Sequence, residues 1–542
     1  MVENGFIGMI KESIKNNGDN SAFTDYQGDS FTYTEVGNYI AQLHAIYHSL
    51  KIKEGDKIAV VGRNMSSWAI AYLSVVTYGA VVVPILPDFS ANDVHHIVNH
   101  SGSVFLFSTE LQFDKIDRKE MPALKGILSL PDFKSLYDPG SFFQTYMSDD
   151  SLFKSDIETA NRNADDPMVL SYTSGTSGFS KGVLLPHRSI WSNVQFAHDN
   201  FDLVAGDRIV SFLPLAHAYG CLFEFLWPFT IGCHITFITK TPSPRIILEV
   251  FQLVKPNLIL SVPLIIEKIF KKNIQPQLEG VALSTILKVP LLNKLIHNKI
   301  NKKLKEIFGG EFREIIIGGA ALNHEVEEFL RTIGFPFTIG YGMTECGPLI
   351  SYSSASKTRL KSAGRIVDRM QIKIDSSDPY NEVGEILVKG DNTTLGYYKN
   401  KTASDELFDA DGWIHTGDLG VIDADNFVYI KGRSKNMILG GSGQNIYPEE
   451  IEALLNNYEF VLESLVRDMG DGRLEALIYP DYETADNQGL DDNKLEEKIQ
   501  GIKTIANKEL PTFMALTKIT LFPEEFEKTP KRSIKRFVYN LT

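Results

Sequence analysis

Between Thr173 and Lys181 the chain concentrates side chains suited to holding phosphate. Thr173, Ser174, Thr176 and Ser177 carry hydroxyls, Gly175, Gly178 and Gly182 permit tight turns, and Lys181 adds a mobile positive charge. The exposed amides of such a loop cradle an anion. The order is not that of the common P-loop, which needs Gly-Lys followed by Ser or Thr; here Ser180 precedes Lys181 and Gly182 follows it. A P-loop kinase or ATPase is therefore disfavoured. A Gly/Ser-rich linker has the same composition, so the rest of the chain must decide.

Three further stretches could do chemistry. Gly340 to Pro348 packs Tyr341, Thr344 and Glu345 into a glycine-bounded loop. There Tyr341 can stack on a base, Thr344 bond a phosphate oxygen and Glu345 hold Mg²⁺. Gly318-Gly319-Ala320 ends an apolar run in a turn without bulk, where a flat ring can approach the backbone, although strand-Gly-Gly turns are also common in ordinary structure. His217 sits among small residues ahead of Gly220, with Phe223, Phe225, Trp227 and Phe229 beyond. That arrangement suits a pocket for an apolar acid or, equally, a plain core.

These stretches need elements to position them. Met168-Val169-Leu170 reads as a strand leading into the phosphate loop, Lys57 to Val61 as another, and Ile315 to Ile317 as a buried strand leading into Gly318. The apolar stretch from Trp68 to Leu86 is broken by Ser74, Thr77, Gly79 and Pro84. It reads as a buried helix ending near Gly79 and a strand from Ala80 to Val83, not as a membrane span. Strands alternating with helices imply an α/β fold.

A chain of 542 residues exceeds one core, so two or more domains are expected. A formal net charge of -14 excludes a general nucleic-acid binder. Cys221, Cys233 and Cys346 show no metal spacing and suggest no disulfide framework, and the acidic start shows no secretory signal, so a cytoplasmic protein is expected. His95, His96 and His100 lack the companions of a metal set and are assigned no function.

Residues 268 to 305 reverse the overall sign, with nine lysines against the single carboxylate of Glu279. Leu292, Ile296, Ile300 and Leu304 recur every four residues, so a basic amphipathic helix is expected over 291 to 308. Such a helix can rest on the inner face of an anionic membrane or simply cover a core with a solvated face.

The loop at 171 to 182, Gly318-Gly319-Ala320, Tyr341 to Glu345, His415-Thr416-Gly417-Asp418 and Gly432-Arg433-Ser434-Lys435 together resemble, in order and spacing, the motifs of the adenylate-forming acyl-CoA synthetase superfamily. The resemblance spans almost the whole chain and is closest to long-chain fatty acid-CoA ligases. It implies the acyl-CoA synthetase/luciferase-like fold. A large N-terminal domain of layered α/β subdomains (1 to 434) would be joined near Lys435 to a small mobile α+β C-terminal domain (435 to 542). By resemblance Thr173 to Gly178 with Lys181 hold the ATP phosphates, Gly318, Gly319, Ala320 and Tyr341 hold adenine, Asp418 and Arg433 bind the ribose, and Gly342 and Thr344 belong to the same ATP site. His217 and Gly220 border the acyl pocket, and Gly441 and Gly443 line the coenzyme A tunnel.

The implied activity is ATP- and Mg²⁺-dependent conversion of a carboxylic acid to acyl-AMP and then to acyl-CoA. The basic helix and the aromatic segment point to a medium- or long-chain fatty acid. An acyl-AMP ligase loading a carrier protein, or a nucleotide- or acyl-binding protein with impaired adenylation, are the alternatives. The third arises because Lys528 to Arg536 resembles the family's C-terminal motif except at its catalytic lysine, where this chain has Ser533. Serine supplies no charge. Lys531 or Lys535 is expected to replace it.

Overall fold

The computed structural model describes residues 5–140, 143, 157–173, 181–273, 290–440, 444–470, 472–528 and 534–539. Its largest sheet has seven strands in the spatial order Ser135–Tyr137, Gly126–Ser129, Ser103–Ser108, Lys57–Val61, Val81–Ile85, Pro167–Thr173, Lys181–Pro186. The five central strands run parallel and the two outer pairings are antiparallel. Val81–Ile85 is buried along its whole length, as a strand covered on both faces must be.

The helix before that strand, Ser66–Thr77, is buried at every residue and so carries apolar side chains all round. It ends at Tyr78, and Gly79 at φ +81° turns the chain into the strand. The segment read as a helix-to-strand turn is therefore one, and no helix among the described residues is long and apolar enough to cross a membrane.

A second sheet orders Arg208–Ser211, His234–Phe237, Ser21–Asp25 and Ser30–Thr32. A third, parallel sheet joins Leu258–Ser261, Glu314–Ile317 and Phe337–Ile339. The chain then passes through the small antiparallel sheet of Tyr341–Gly342, Leu349–Tyr352 and Arg365–Ile366 into four antiparallel strands, Met370–Asp375, Gly384–Gly390, Ile414–Ile422 and Val428–Arg433. This is the layered α/β architecture expected.

The aromatic run after His217 lies in a π-helix, Cys221–Leu226, continued by Trp227–Ile231. Phe225, Trp227 and Phe229 are fully buried and pack on Phe23, Trp68 and Phe201. These rings fill the core between layers and leave little of themselves to line a pocket, so they lend no weight to a fatty acid. The expected amphipathic helix is present as Pro290–Ile307, with Leu304 buried and Leu295 72% exposed.

Beyond Arg433 the core changes. One buried apolar cluster runs from Phe6 to Val428, whereas another, from Ile438 to Ile519, is built only from later residues. That later core lies under the strands Val461–Asp468, Leu474–Pro480 and Leu516–Leu521 and the helices Pro448–Leu455 and Asp492–Glu509.

Candidate active site

Thr173 and Lys181 face each other as the closing pair of the hairpin that ends the large sheet. Thr173 Oγ1 donates to the Lys181 carbonyl at 3.5 Å. Two ends of a loop are thus held one strand spacing apart at the sheet edge, a position suited to presenting backbone amides. Ser174, Gly175, Thr176, Ser177 and Gly178 lie outside the described residues, as do Gly441, Gly443, Lys531 and Ser533.

The outer strand of that hairpin is covered by residues 395–398. Leu395 N donates to Leu184 O at 2.9 Å, Leu184 N to Gly396 O at 3.0 Å, and Tyr398 N to Gly182 O at 2.7 Å. The cover satisfies an edge that would otherwise be open. It also brings Tyr397 beneath Lys181, whose Nζ lies 5.0 Å from the ring centroid. Sequence reasoning missed Tyr397; its only signal is an aromatic pair after Gly396, which is weak.

Glu345 is 9% exposed in the one-turn helix Thr344–Cys346, and its Oε1 accepts the Tyr397 hydroxyl at 2.8 Å. The turn is held from both sides: Thr394 N donates to Glu345 O at 2.8 Å, and Asn193 Nδ2 to Cys346 O at 3.2 Å. Glycine is required at Gly342, where a Cβ would sit 2.1 Å from the Pro348 carbonyl oxygen. Lys181, Thr173 and Glu345 are therefore brought to one neighbourhood through Tyr397 and its flanking strand.

Tyr341 is buried, and its hydroxyl donates to Asp418 Oδ2 at 2.6 Å. Asp418 pairs with Arg433 across adjacent strands, Arg433 Nε to Oδ1 at 2.8 Å. Burial pushes the Asp418 carboxyl above its ordinary range, against the opposing pull of Arg433 and the Tyr341 bond. Each carboxylate oxygen still has a second lone pair, so the group can accept two sugar hydroxyls without giving up either partner. Glu385 sets the turn before it by accepting from Gly417 N and meeting His415 Nδ1, both at 2.9 Å.

The Gly318-Gly319-Ala320 turn follows its strand as expected, but a Cβ on Gly318 would meet the protein's own Tyr219 ring at 3.1 Å. Tyr219 is fixed there by donating to Ile316 O at 3.0 Å. Gly319, at φ +88°, and Ala320 are the exposed part of the turn, where an outside ring has room.

His217 precedes a tight turn in which a Cβ on Gly220 would approach both Leu213 and Pro214 carbonyls to 3.0 Å. The loop leading to it is clamped by Glu224, which accepts Phe212 N and Leu213 N at 3.0 Å each, and by Asn64, which bonds Leu213 O and Leu215 N. Burial holds the Glu224 carboxyl far above the usual range. Beside His217 lies a small, mostly apolar cavity lined by Tyr72, Val169, Ala216, Cys221, Leu222 and Gly347. It reaches the Glu345 turn on one side and the end of the phosphate-loop strand on the other.

Lys435 is exposed in the turn Ser434–Asn436 between the two cores. The neighbouring Asn436 Nδ2 donates to Glu449 Oε1 at 2.6 Å, and Lys431 pairs with Glu450 at 3.5 Å. Lys535 pairs with Glu527 at 3.4 Å within the C-terminal unit. No group of His, Cys, Asp and Glu among the described residues has the clustering of a metal site built by protein alone. Glu345 as a lone carboxylate fits Mg²⁺ held mainly by phosphates and water. Of His95, His96 and His100, His95 Nε2 accepts from Asp117 N at 2.9 Å and His100 Nδ1 lies 2.7 Å from the Tyr172 hydroxyl.

A family model described as an AMP-binding enzyme matches residues 10–398. The Mycobacterium bovis protein named long-chain-fatty-acid--CoA ligase FadD15 is 26% identical over 559 aligned residues, covering 94% of this chain and 90% of its own length. The anthranilate CoA ligase AuaEII, solved with anthranoyl-AMP, superposes with a TM-score of 0.79 at 19% identity, over 99% of this chain and 96% of that one. The o-succinylbenzoate CoA synthetase MenE of Bacillus subtilis, solved with ATP and magnesium ion, gives 0.75 at 21% identity over 98% of each chain. Those structures share the fold along nearly the entire length, and the family match covers most of the chain. This protein belongs to the AMP-binding, adenylate-forming enzyme family.

Proposed function

We propose that the protein is an acid-thiol ligase that activates a carboxylic acid with ATP and passes the acyl group to coenzyme A. The observation that carries this is the convergence of Lys181, Glu345 and the Tyr341–Asp418–Arg433 network. One region thereby offers a cation for phosphate, a carboxylate for Mg²⁺ and an acceptor for sugar hydroxyls. Thr173, Thr344 and the loop from Ser174 to Gly178 are assigned to the phosphates, and Gly319, Ala320 and the exposed backbone at Gly342 to adenine.

In the first half-reaction a carboxylate oxygen of the acid attacks the α-phosphorus of ATP, a new P–O bond forms, and pyrophosphate leaves. Both reactants are anions, so cationic groups must offset their repulsion. Lys181 does so at the phosphates, and Glu345 places Mg²⁺, which supplies further charge neutralisation when bound. In the second half-reaction the thiolate of coenzyme A attacks the acyl carbonyl and AMP departs. Gly441 and Gly443 are assigned to the pantetheine path and Lys435 to the hinge, with 1–434 and 435–542 as the domains.

For the acid we infer a medium- or long-chain fatty acid, supported by the names carried by relatives such as FadD15. An aromatic acid, of the kind named for AuaEII, is the competing choice. Pyrophosphate release across a panel of acids, with and without coenzyme A, separates them. Release with fatty acids above aromatic acids is expected, and the reverse order overturns the choice.

The helix Pro290–Ile307 presents Leu295, Lys299 and Lys302 to solvent on one face, which supports peripheral contact with anionic lipid. Sedimentation with anionic against neutral vesicles tests it; equal binding to both removes the assignment.

A further inference from the structure

Tyr397 touches two residues that have opposite charges and separate tasks. Its hydroxyl donates to Glu345 Oε1 at 2.8 Å, and the Lys181 ammonium lies 5.0 Å from the centre of its ring. The backbone fixes it to both. Val183 and Tyr397 form a bridge two residues beyond Lys181, and the Thr394 amide bonds the Glu345 carbonyl three residues before Tyr397.

An ammonium and a carboxylate in a partly buried site attract strongly, and a direct pair would neutralise both. A phenol meets each differently. Its ring face attracts the cation and its O–H binds the anion, while both charges remain available for further partners. Tyr397 can therefore hold Lys181 and Glu345 close without letting either quench the other.

We propose that Tyr397 is a positioning residue that keeps Lys181 and Glu345 as separate partners of one nucleotide, the lysine for its phosphates and the glutamate for its divalent cation. This rests on the ATP-dependent reading given above. Phenylalanine at 397 would keep the ring and lose the donor; alanine would lose both. The two substitutions therefore divide the effect by partner.

The test is the affinity of Mn²⁺, standing in for Mg²⁺, for the protein with a non-hydrolysable ATP analogue, read by electron paramagnetic resonance, alongside analogue affinity at saturating metal. In Tyr397→Phe, metal affinity should fall about tenfold, as losing a hydrogen bond to a charged group implies. Analogue affinity should stay within about twofold because the ring face is kept. In Tyr397→Ala both should fall. Thermal unfolding should show Tyr397→Phe folded at the assay temperature, and that variant alone decides if the alanine variant does not fold. Unchanged metal affinity in Tyr397→Phe overturns the proposal, as does an equal fall in both affinities. A parent protein that binds analogue and metal but never exchanges pyrophosphate into ATP overturns the enzymatic reading and leaves the role of Tyr397 standing.

Discussion

Tyr341 and Asp418 are 77 residues apart in the chain, yet the tyrosine hydroxyl donates to the aspartate at 2.6 Å in a buried position. This bond ties the loop that carries Glu345 to the antiparallel strands that carry Arg433. It makes one site out of two sheets.

Asp418→Ala should therefore act on both stability and binding. It leaves the Tyr341 hydroxyl buried without its acceptor, which costs about 1–3 kcal/mol, and removes the proposed ribose contact. Tyr341→Phe keeps the ring and removes one donor to the buried carboxylate, which costs about 1.5–3 kcal/mol. Thermal unfolding and the KM for ATP measure the two effects. A destabilised Asp418→Ala with an unchanged KM for ATP would remove the aspartate from nucleotide binding.

The turn Ser434–Asn436 separates the two cores, which gives the proposed hinge at Lys435 a direct test. Lys435→Pro fixes φ there. If the proposed hinge rotates the C-terminal unit between the two steps, acyl-AMP formation should persist while acyl transfer to coenzyme A falls. Single-turnover assays of each half-reaction check it; equal loss in both would count against rotation at this residue.

Much of the site was legible in the sequence because glycine and charge patterns are local. The strand before Gly318 and the buried helix before Gly79 each stand in a short run whose composition dictates its structure, and Glu345 lies in the short turn that its flanking glycines mark. Tyr397 was not legible, since its meaning lies in Lys181 and Glu345, which reach it only after a sheet edge closes. The aromatic run after His217 misled for the complementary reason. Core rings and pocket rings have the same composition, and only packing shows that Phe225 and Trp227 are core.

Lys535 stands two residues after Ser533 and pairs with Glu527 at 3.4 Å, an ion pair near the surface that is cheap to break. Lys535→Ala should slow acyl-AMP formation roughly 100- to 1000-fold if this side chain supplies the missing charge. Adding Ser533→Lys should restore it, and transfer from preformed acyl-AMP should be unaffected throughout. Normal adenylation by Lys535→Ala would move the assignment to Lys531.

In the C-terminal unit, burial pushes Glu475 up, but bonds from Lys518, Thr520 and Arg467 together outweigh it and hold the carboxyl at about 2, below its ordinary 4.5. A folded-state value below the unfolded one contributes stability above the unfolded value that is lost as pH falls towards the folded one. Protection of the strand Leu474–Pro480 in hydrogen exchange should therefore weaken as pH drops from about 4.5 towards about 2, after correction for intrinsic exchange. Glu475→Gln should flatten that dependence. An unchanged slope would show that other carboxyls set it.

Adenylation is proposed at the site joined by Lys181, Glu345 and Asp418. Exchange of labelled pyrophosphate into ATP, measured with and without a carboxylic acid, tests it most directly. Exchange that requires both acid and Mg²⁺, and that is lost in Lys181→Ala, is the expected result. ATP binding with no exchange for any acid tested would contradict the claim.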